Sequence, residues 1–176
     1  MRILDLRTFT IVLLTYVGFM RFDEVSILTK GDVQFFSTHM SIFIERSKTD
    51  VYRDGNKIII SRLNSICCPV RTLCRYIQLG KVEKDEAFLF RAVTWLKRKQ
   101  CYVIRATNKP ISYSTCRVGA LGLISRLGLN LKPYGLHSGR SGGATWAATR
   151  GCQTDCLRGM GAGRRRKQRT VMLMTI

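Results

Sequence analysis

The chain has 176 residues, 45% of them hydrophobic and 23% charged, a balance that supports one folded domain and excludes disorder throughout. Thirty Lys and Arg residues against 11 Asp and Glu residues give a net charge of +19, which favours a polyanionic partner, nucleic acid first and an anionic membrane surface second. The longest apolar stretch, residues 9–20, is shorter than the roughly 20 residues of a membrane-spanning helix, so we expect none.

The first half of the chain predicts one buried helix and one hairpin. Residues 3–20 are rich in Leu, Ile, Val and Phe without alternation, which favours a buried helix. A signal peptide is disfavoured because Asp5 lies in its basic region and Arg21 follows directly, without a cleavage site. Residues 40–45 and 57–61 alternate with period two and predict an antiparallel hairpin with Lys48 near its tip.

The second half predicts three more helices. Pro69 suits the first turn of a helix that reaches about residue 79. Apolar residues at helical spacing predict helices over 114–128 and 137–150, and residues 88–90 are expected to be a short extended piece. The sequence therefore predicts a mixed fold, mainly α, with a small antiparallel β-hairpin sheet.

The seven cysteines are an odd number scattered along the chain, a pattern typical of reduced thiols in an intracellular protein. A zinc site needs paired cysteines at short spacing or a nearby histidine, and neither is found around Cys67, Cys68 and Cys74. The spacing of Cys152 and Cys156 does not supply such a pair either. Buried small apolar residues are the favoured interpretation over a zinc site. We expect no bound metal.

Three basic sites stand out against the general positive charge. Arg21 lies three residues before Glu24, Lys48 is near the hairpin tip, and His137 and Arg140 begin a helix rich in glycine and serine. Two arginines can hold the nonbridging oxygens of a phosphodiester, a lysine can protonate a leaving alkoxide, and a histidine can exchange protons. For each residue alone, a solvated cation, a contact to the DNA backbone or a structural cap is the simpler interpretation.

The three sites together resemble the tyrosine recombinases, the phage-integrase family, whose catalytic domain is similar to that of type IB topoisomerases. YVGFMRFDEVSIL (residues 16–28) resembles the first box, SKTD (47–50) the β-hairpin lysine motif, and LHSGRSGGAT (136–145) the His-x-x-Arg box. The His-x-x-Arg segment is the second box of the family, and its residues here are similar to those of recombinases carried by eukaryotic mobile elements. The resemblance covers about residues 1–155 and implies the tyrosine-recombinase catalytic-domain fold there.

By this resemblance, Arg21 and Arg140 are expected to hold the scissile phosphate, with Lys48 as general acid, His137 assisting and Glu24 supporting the Arg21 site. The family breaks and rejoins DNA by attack of a tyrosine on a phosphodiester, which forms a 3′-phosphotyrosyl link and a free 5′-hydroxyl. No metal or nucleotide cofactor is needed because the covalent link stores the bond energy. Three further basic residues are expected to bind DNA: Arg46, Arg53 and Lys132.

The resemblance also implies partners and location. The partner is DNA, with a homo-oligomer assembled on it, and neither a membrane nor a small-molecule substrate is expected. The protein is expected to be intracellular, and nuclear in a eukaryote. The chain begins almost at the first catalytic helix, so the separate N-terminal core-binding domain of the family is expected to be missing.

The sequence departs from the family pattern after the second box. No Tyr, His or Trp follows Arg150, and the last tyrosines, Tyr113 and Tyr134, precede His137, so no nucleophile is found. We therefore expect DNA binding without strand cleavage by this chain alone, unless a partner subunit donates a tyrosine. The alternatives are a non-catalytic DNA-binding remnant of a mobile-element recombinase and a basic RNA-binding protein that uses residues 164–167.

The last 21 residues, 156–176, are expected to be a basic tail outside the fold. Residues 157–176 carry six basic residues, no acidic one and a glycine-methionine cluster. In the family, a third box, a Gly after a His or Trp, follows the His-x-x-Arg box and precedes the nucleophilic Tyr. Back-translated with free codon choice and read one nucleotide earlier, this run can encode LKRHGRWKTEKAKDGYVDDN, which contains His-Gly-Arg-Trp and then Gly-Tyr, similar to that third box and nucleophile. We interpret the tail as the product of a frameshift near Cys156.

Overall fold

The computed structural model describes residues 2–45, 55–150 and 168–171. The helices within them are α1 (Ile3–Val17), α2 (Phe22–Ser26), α3 (Pro69–Gly80), α4 (Tyr113–Ser125) and α5 (Leu136–Thr149). Helix α1 is the centre of the helical layer, and α3, α4 and α5 all pack against it.

Helix α1 forms because its apolar and small polar residues are buried on several sides. Leu6, Ile11 and Leu14 lie in the core, and the buried Thr10 hydroxyl donates to the Leu6 carbonyl at 2.6 Å, which satisfies it inside the helix. The helix ends at Val17, three residues earlier than predicted. The following turn places Phe19 at a φ of +49°, a left-handed conformation that ends helical geometry.

The predicted hairpin is confirmed. Strand β2 (His39–Ile44) pairs antiparallel with β3 (Asn56–Ser61), and a short strand β1 (Val33–Phe35) pairs on the other side of β2. One face of the two long strands is apolar and buried because their side chains alternate, as the period of two predicts. The connecting residues 46–54, with Arg46, Lys48 and Arg53, lie outside the described residues.

Within the predicted tail, residues 156–176, four residues form a strand. The backbone of β6 (Gln168–Val171) pairs in parallel with β3, which extends the sheet to the order β1-β2-β3-β6. The physical reason is that β3 otherwise presents an open edge of unpaired backbone groups, which can accept another extended segment.

A second hairpin was not predicted. Strand β4 (Val93–Leu96) and strand β5 (Cys101–Ile104) pair antiparallel across a short 3-10 turn, Lys97–Lys99. The signal was present in the sequence, since two short runs of Val, Thr, Trp, Tyr and Ile flank a turn of basic residues. Phe88, in the expected extended piece, forms an isolated bridge with Thr29 instead of joining a sheet.

The three later helices agree with the sequence prediction to within a few residues. Pro69 is the first residue of α3, and the Ser112 hydroxyl caps α4 by accepting the Thr115 N–H at 3.3 Å. Helix α4 ends at Ser125, before the predicted Gly128, which adopts a φ of +71° in the following turn. The described residues form a mixed, mainly helical fold with small sheets, and none of their helices is long and apolar enough to cross a bilayer.

The cysteines behave partly as predicted. Cys68 and Cys116 are buried among apolar residues, Cys67 is exposed, and these three thiols are free. Burial raises the pKa of the Cys116 thiol to about 11. The described part of the chain contains no cluster of three or more His, Cys, Asp or Glu residues able to hold a metal ion.

Candidate functional site

Arg21 lies in the turn between α1 and α2, where Glu24 fixes it. Glu24 Oε2 accepts the backbone N–H of Arg21 at 2.7 Å, and Glu24 Oε1 lies 3.4 Å from Arg21 Nη1. The Glu24 side chain is 5% exposed and that of Arg21 is 26% exposed, so the carboxylate is inside and the guanidinium reaches the surface. The sequence predicted that the two residues share one side of a helix. Arg21 instead precedes α2 and the contact runs through its backbone as well.

Helix α5 approaches the end of α1 through glycines. A Cβ at Gly143 would collide with the Tyr16 carbonyl oxygen and would lie 2.9 Å from its carbon, and a Cβ at Gly139 would collide with the Thr15 hydroxyl. Only the absence of side chains at these two positions permits the contact. Arg140 is placed by this contact, since it lies between the two glycines on α5 and is half-buried.

The same contact brings the first and second boxes together. A Cβ at Gly143 would lie 3.3 Å from the Phe19 ring, and Phe19 is two residues before Arg21. The contact between the middle of α5, which includes Arg140, and the end of α1, which Arg21 follows, therefore defines the candidate region. Glu24 is on the inner side of that region.

Of the remaining predicted site residues, His137 and Lys132 lie within the described part of the chain. His137 is exposed in the first turn of α5, and Lys132 is exposed in the loop before it, where its backbone N–H donates to Asn130 Oδ1 at 3.1 Å. Arg46, Lys48 and Arg53 lie outside the described residues. The region therefore contains two arginines and the exposed His137. The Arg21 guanidinium reaches the surface, whereas Arg140 is half-buried and its Nη1 is enclosed by the protein.

An apolar pocket of about 230 Å³ lies beside this region, between α1, α4 and α5. Its lining is mostly hydrocarbon, with Val12, Ala120, Ile124 and Leu136, and Tyr134 stands at one side. An apolar cavity does not suit a phosphate, because an unpaired charge there would lose its hydration. The pocket is thus separate from the candidate phosphate position.

The tyrosines upstream of the second box are partly exposed. Tyr113, at the start of α4, packs edge-on against Phe22 with 5.4 Å between ring centroids, so its ring lies beside the residue that follows Arg21. Its side chain is on the surface. Tyr134 lines the apolar pocket instead. Both tyrosines are poor candidates for the nucleophile by sequence alone, because they precede His137 in the chain.

Sequence reasoning missed a buried arginine. Arg7 on α1 is 1% exposed, and its Nη1 donates to the Arg91 carbonyl at 2.9 Å. Burial lowers the pKa of Arg7 and raises that of the neighbouring Tyr76, because the low dielectric disfavours both charged forms. The sequence contains one indication of this burial. Arg7 lies four residues before the core residue Ile11, a spacing that places both on the same side of a helix. This cation is part of the core and cannot reach a polyanion.

No protein-family model matches this chain, and no curated protein matches it. The evidence on function is therefore the three sequence motifs and the geometry of the described residues.

Proposed function

We propose that this chain is a DNA-binding catalytic domain of the tyrosine-recombinase type. The observation that carries the proposal is the glycine-mediated packing of the His-x-x-Arg helix, α5, on the end of α1, directly before Arg21. Two boxes separated by more than a hundred residues meet in one region, which supports the proposal that Arg21 and Arg140 bind the same phosphodiester.

The side chains of this region suit phosphoryl transfer. Arg21 and Arg140 hold the nonbridging oxygens and stabilise the charge that develops on them, as fixed donors do in other transition states. Glu24 orients Arg21 through its backbone N–H and its guanidinium. Lys48 gives its proton to the leaving 5′-oxygen, and the exposed His137 assists in the proton exchange.

The nucleophile is the missing part of this arrangement. No tyrosine follows Arg140 in the 176 residues. We therefore propose that the chain binds and polarises a phosphodiester but forms no phosphotyrosyl link by itself. A small external nucleophile should be able to replace the phenol, because the rest of the phosphate site does not depend on it.

The test is nicking of supercoiled plasmid DNA with hydrogen peroxide as the external nucleophile and a metal chelator present to suppress radical cleavage. The hydroperoxide anion attacks phosphorus, the 5′-oxygen leaves, and a nick with a 5′-hydroxyl results. We expect nicking by the wild-type chain and a loss of about 100-fold in R21Q and in R140Q, the usual effect of removing one charge-stabilising donor.

The matched control is R75Q, which removes one exposed cation from α3, outside the acid-free part of the chain, residues 87–150, and should nick as the wild type does. Wild-type nicking no greater than that of R140Q would contradict the catalytic proposal. Retained affinity of the wild type for duplex DNA in that case would favour the second candidate function, a non-catalytic DNA-binding remnant, which the missing tyrosine also favours.

The frameshift interpretation has its own test. Genomic DNA and transcript are sequenced through the codons for residues 150–176. A single inserted or deleted base that restores His-Gly-Arg-Trp and a tyrosine predicts that the restored chain forms a covalent adduct on nicked duplex DNA. The same reading frame in both sequences would contradict the frameshift.

A further inference from the structure

The β4–β5 hairpin presents a basic tip to solvent. Lys97, Arg98 and Lys99 form its turn, and all three side chains are exposed. Within residues 2–45 and 55–150, no carboxylate lies within 4 Å of any of them, and the described ion pairs use other cations. Three adjacent positive charges without local neutralisation repel one another, so the hairpin tip favours an external anion.

The surrounding sequence has no acidic residue to offset this charge. Ten of the 11 Asp and Glu residues lie at or before Glu86, and the other is Asp155. Residues 87–150 thus carry eleven Lys and Arg residues and no acid, across β4, β5, α4 and α5. The hairpin and the Arg140 helix therefore belong to the same acid-free half of the chain, whose charge is complementary to a polyanion.

The hairpin is held at its base and is not a loose loop. The Arg105 N–H donates to the Ala92 carbonyl at 2.8 Å, and Ile104 packs against Gly80 at the end of α3. Trp95 packs edge-on against Tyr102 across the two strands, with 4.8 Å between ring centroids. These contacts fix the direction in which the tip points.

We propose that the β4–β5 hairpin, residues 93–104, is a second contact to duplex DNA, made by Lys97, Arg98 and Lys99 to the phosphate backbone. The inference rests on the proposed function and extends it from one phosphate to a longer stretch of duplex. Arg2 lies over the Tyr102 ring at the start of α1, whereas Arg21 follows the end of α1. The 15 residues of α1 span about 22 Å, which corresponds to about six base pairs.

Duplex DNA fits this surface better than a bilayer does. Trp95 is 44% exposed and Leu96 is 36% exposed, which alone would suit either partner. The charged pair of Arg2 and Asp5, joined at 3.1 Å, borders Tyr102 on the aromatic side. Insertion of that side into hydrocarbon would desolvate these charges, whereas contact with phosphates leaves them in water.

The experiment compares the affinity for a 25-base-pair duplex of three full-length chains: wild type, K97Q/R98Q/K99Q, and the matched control R71Q/R75Q/K84Q. The control removes the same charge from exposed positions in the acid-containing half of the chain. We expect the hairpin variant to bind at least about tenfold more weakly at 0.1 M salt and its slope of log Kobs against log salt to fall by about 2 to 3. The control should change by less than half as much.

A second measurement reports on the hairpin itself. Trp95 and Trp146 are the two tryptophans of the sequence, so W146F leaves Trp95 as the single indole probe. We expect duplex DNA to change the fluorescence of Trp95 in W146F and not in W146F/K97Q/R98Q/K99Q.

The outcomes separate this inference from the proposed function. If the wild type binds the duplex but the hairpin variant and the control lose equal affinity, the hairpin contact is wrong while DNA binding stands. An unchanged Trp95 fluorescence on binding also overturns it. No duplex binding by the wild type overturns both proposals. A hairpin variant that loses affinity for phosphatidylserine vesicles or for RNA, and not for the duplex, assigns the surface to another partner.

Discussion

Two adjacent glycines on α5 give a sharp test of the packing that builds the candidate site. A Cβ at Gly142 would lie 3.5 Å from the Tyr16 ring, an ordinary contact, and a Cβ at Gly143 would collide with the Tyr16 carbonyl. The collision is with backbone, which cannot rotate away. Both substitutions by alanine make the same chemical change at consecutive positions of one helix, so G142A is the matched control for G143A.

The magnitudes follow from two opposing effects. Alanine in a helix is favoured over glycine by about 1 kcal/mol, which both variants gain. Overpacking typically costs about 1 to 3 kcal/mol, and contact with a carbonyl belongs at the upper end of that range. We therefore expect the unfolding free energy of G142A to exceed that of the wild type by about 0.5 to 1 kcal/mol. The unfolding free energy of G143A should be about 2 kcal/mol below that of the wild type.

The assay is urea unfolding followed by circular dichroism, with plasmid nicking as the second readout. Displacement of α5 also displaces Arg140, so G143A should lose peroxide-dependent nicking under conditions where it remains folded. G142A should nick as the wild type does. Equal unfolding free energies for the two variants would refute the close approach of α5 to α1.

Three further predictions concern buried groups. Hydrogen bonds from Arg126, at 2.7 and 3.3 Å, lower the pKa of Asp5 below its ordinary value of 3.8. The stability that this pair contributes, about 1 kcal/mol for a half-exposed arginine, is present above that value and is lost as pH falls through the lowered pKa. The unfolding free energy, measured with urea at pH 6 and pH 3, should therefore change less between the two pH values in D5N than in the wild type. An equal change in the two proteins would contradict the ion pair of Asp5 and Arg126. Y76F removes a buried 2.9 Å hydrogen bond to the Leu89 carbonyl and should lower the unfolding free energy by about 1 to 2 kcal/mol, whereas no loss would exclude that bond. With a thiol pKa of about 11, buried Cys116 should resist iodoacetamide at pH 8.5 while exposed Cys67 reacts, as mass spectrometry of the labelled peptides would show; equal labelling would place Cys116 at the surface.

Much of the local structure follows from the sequence because it depends on neighbouring residues. The alternation in residues 40–45 and 57–61 predicts the β2–β3 hairpin, and Pro69 marks the first turn of α3. The contact between Arg21 and Glu24 follows from their spacing of three, although its geometry is that of a helix start. The β4–β5 hairpin was missed because its four-residue strands are half-exposed and their alternation is weak.

The amino-acid sequence by itself determined the net charge, the order of the three motifs at residues 16–28, 47–50 and 136–145, and the residue types that can hold a phosphodiester. The tertiary structure decided which distant segments of the chain pack together. Gly139 and Gly143 lie far along the chain from Thr15 and Tyr16, and their missing side chains matter only once α5 packs on α1. Arg7 became a core residue for the same reason, since α3 and α4 cover it from positions that local periodicity does not specify. Burial and close approach are properties of distant segments brought together, so no window of neighbouring residues contains them.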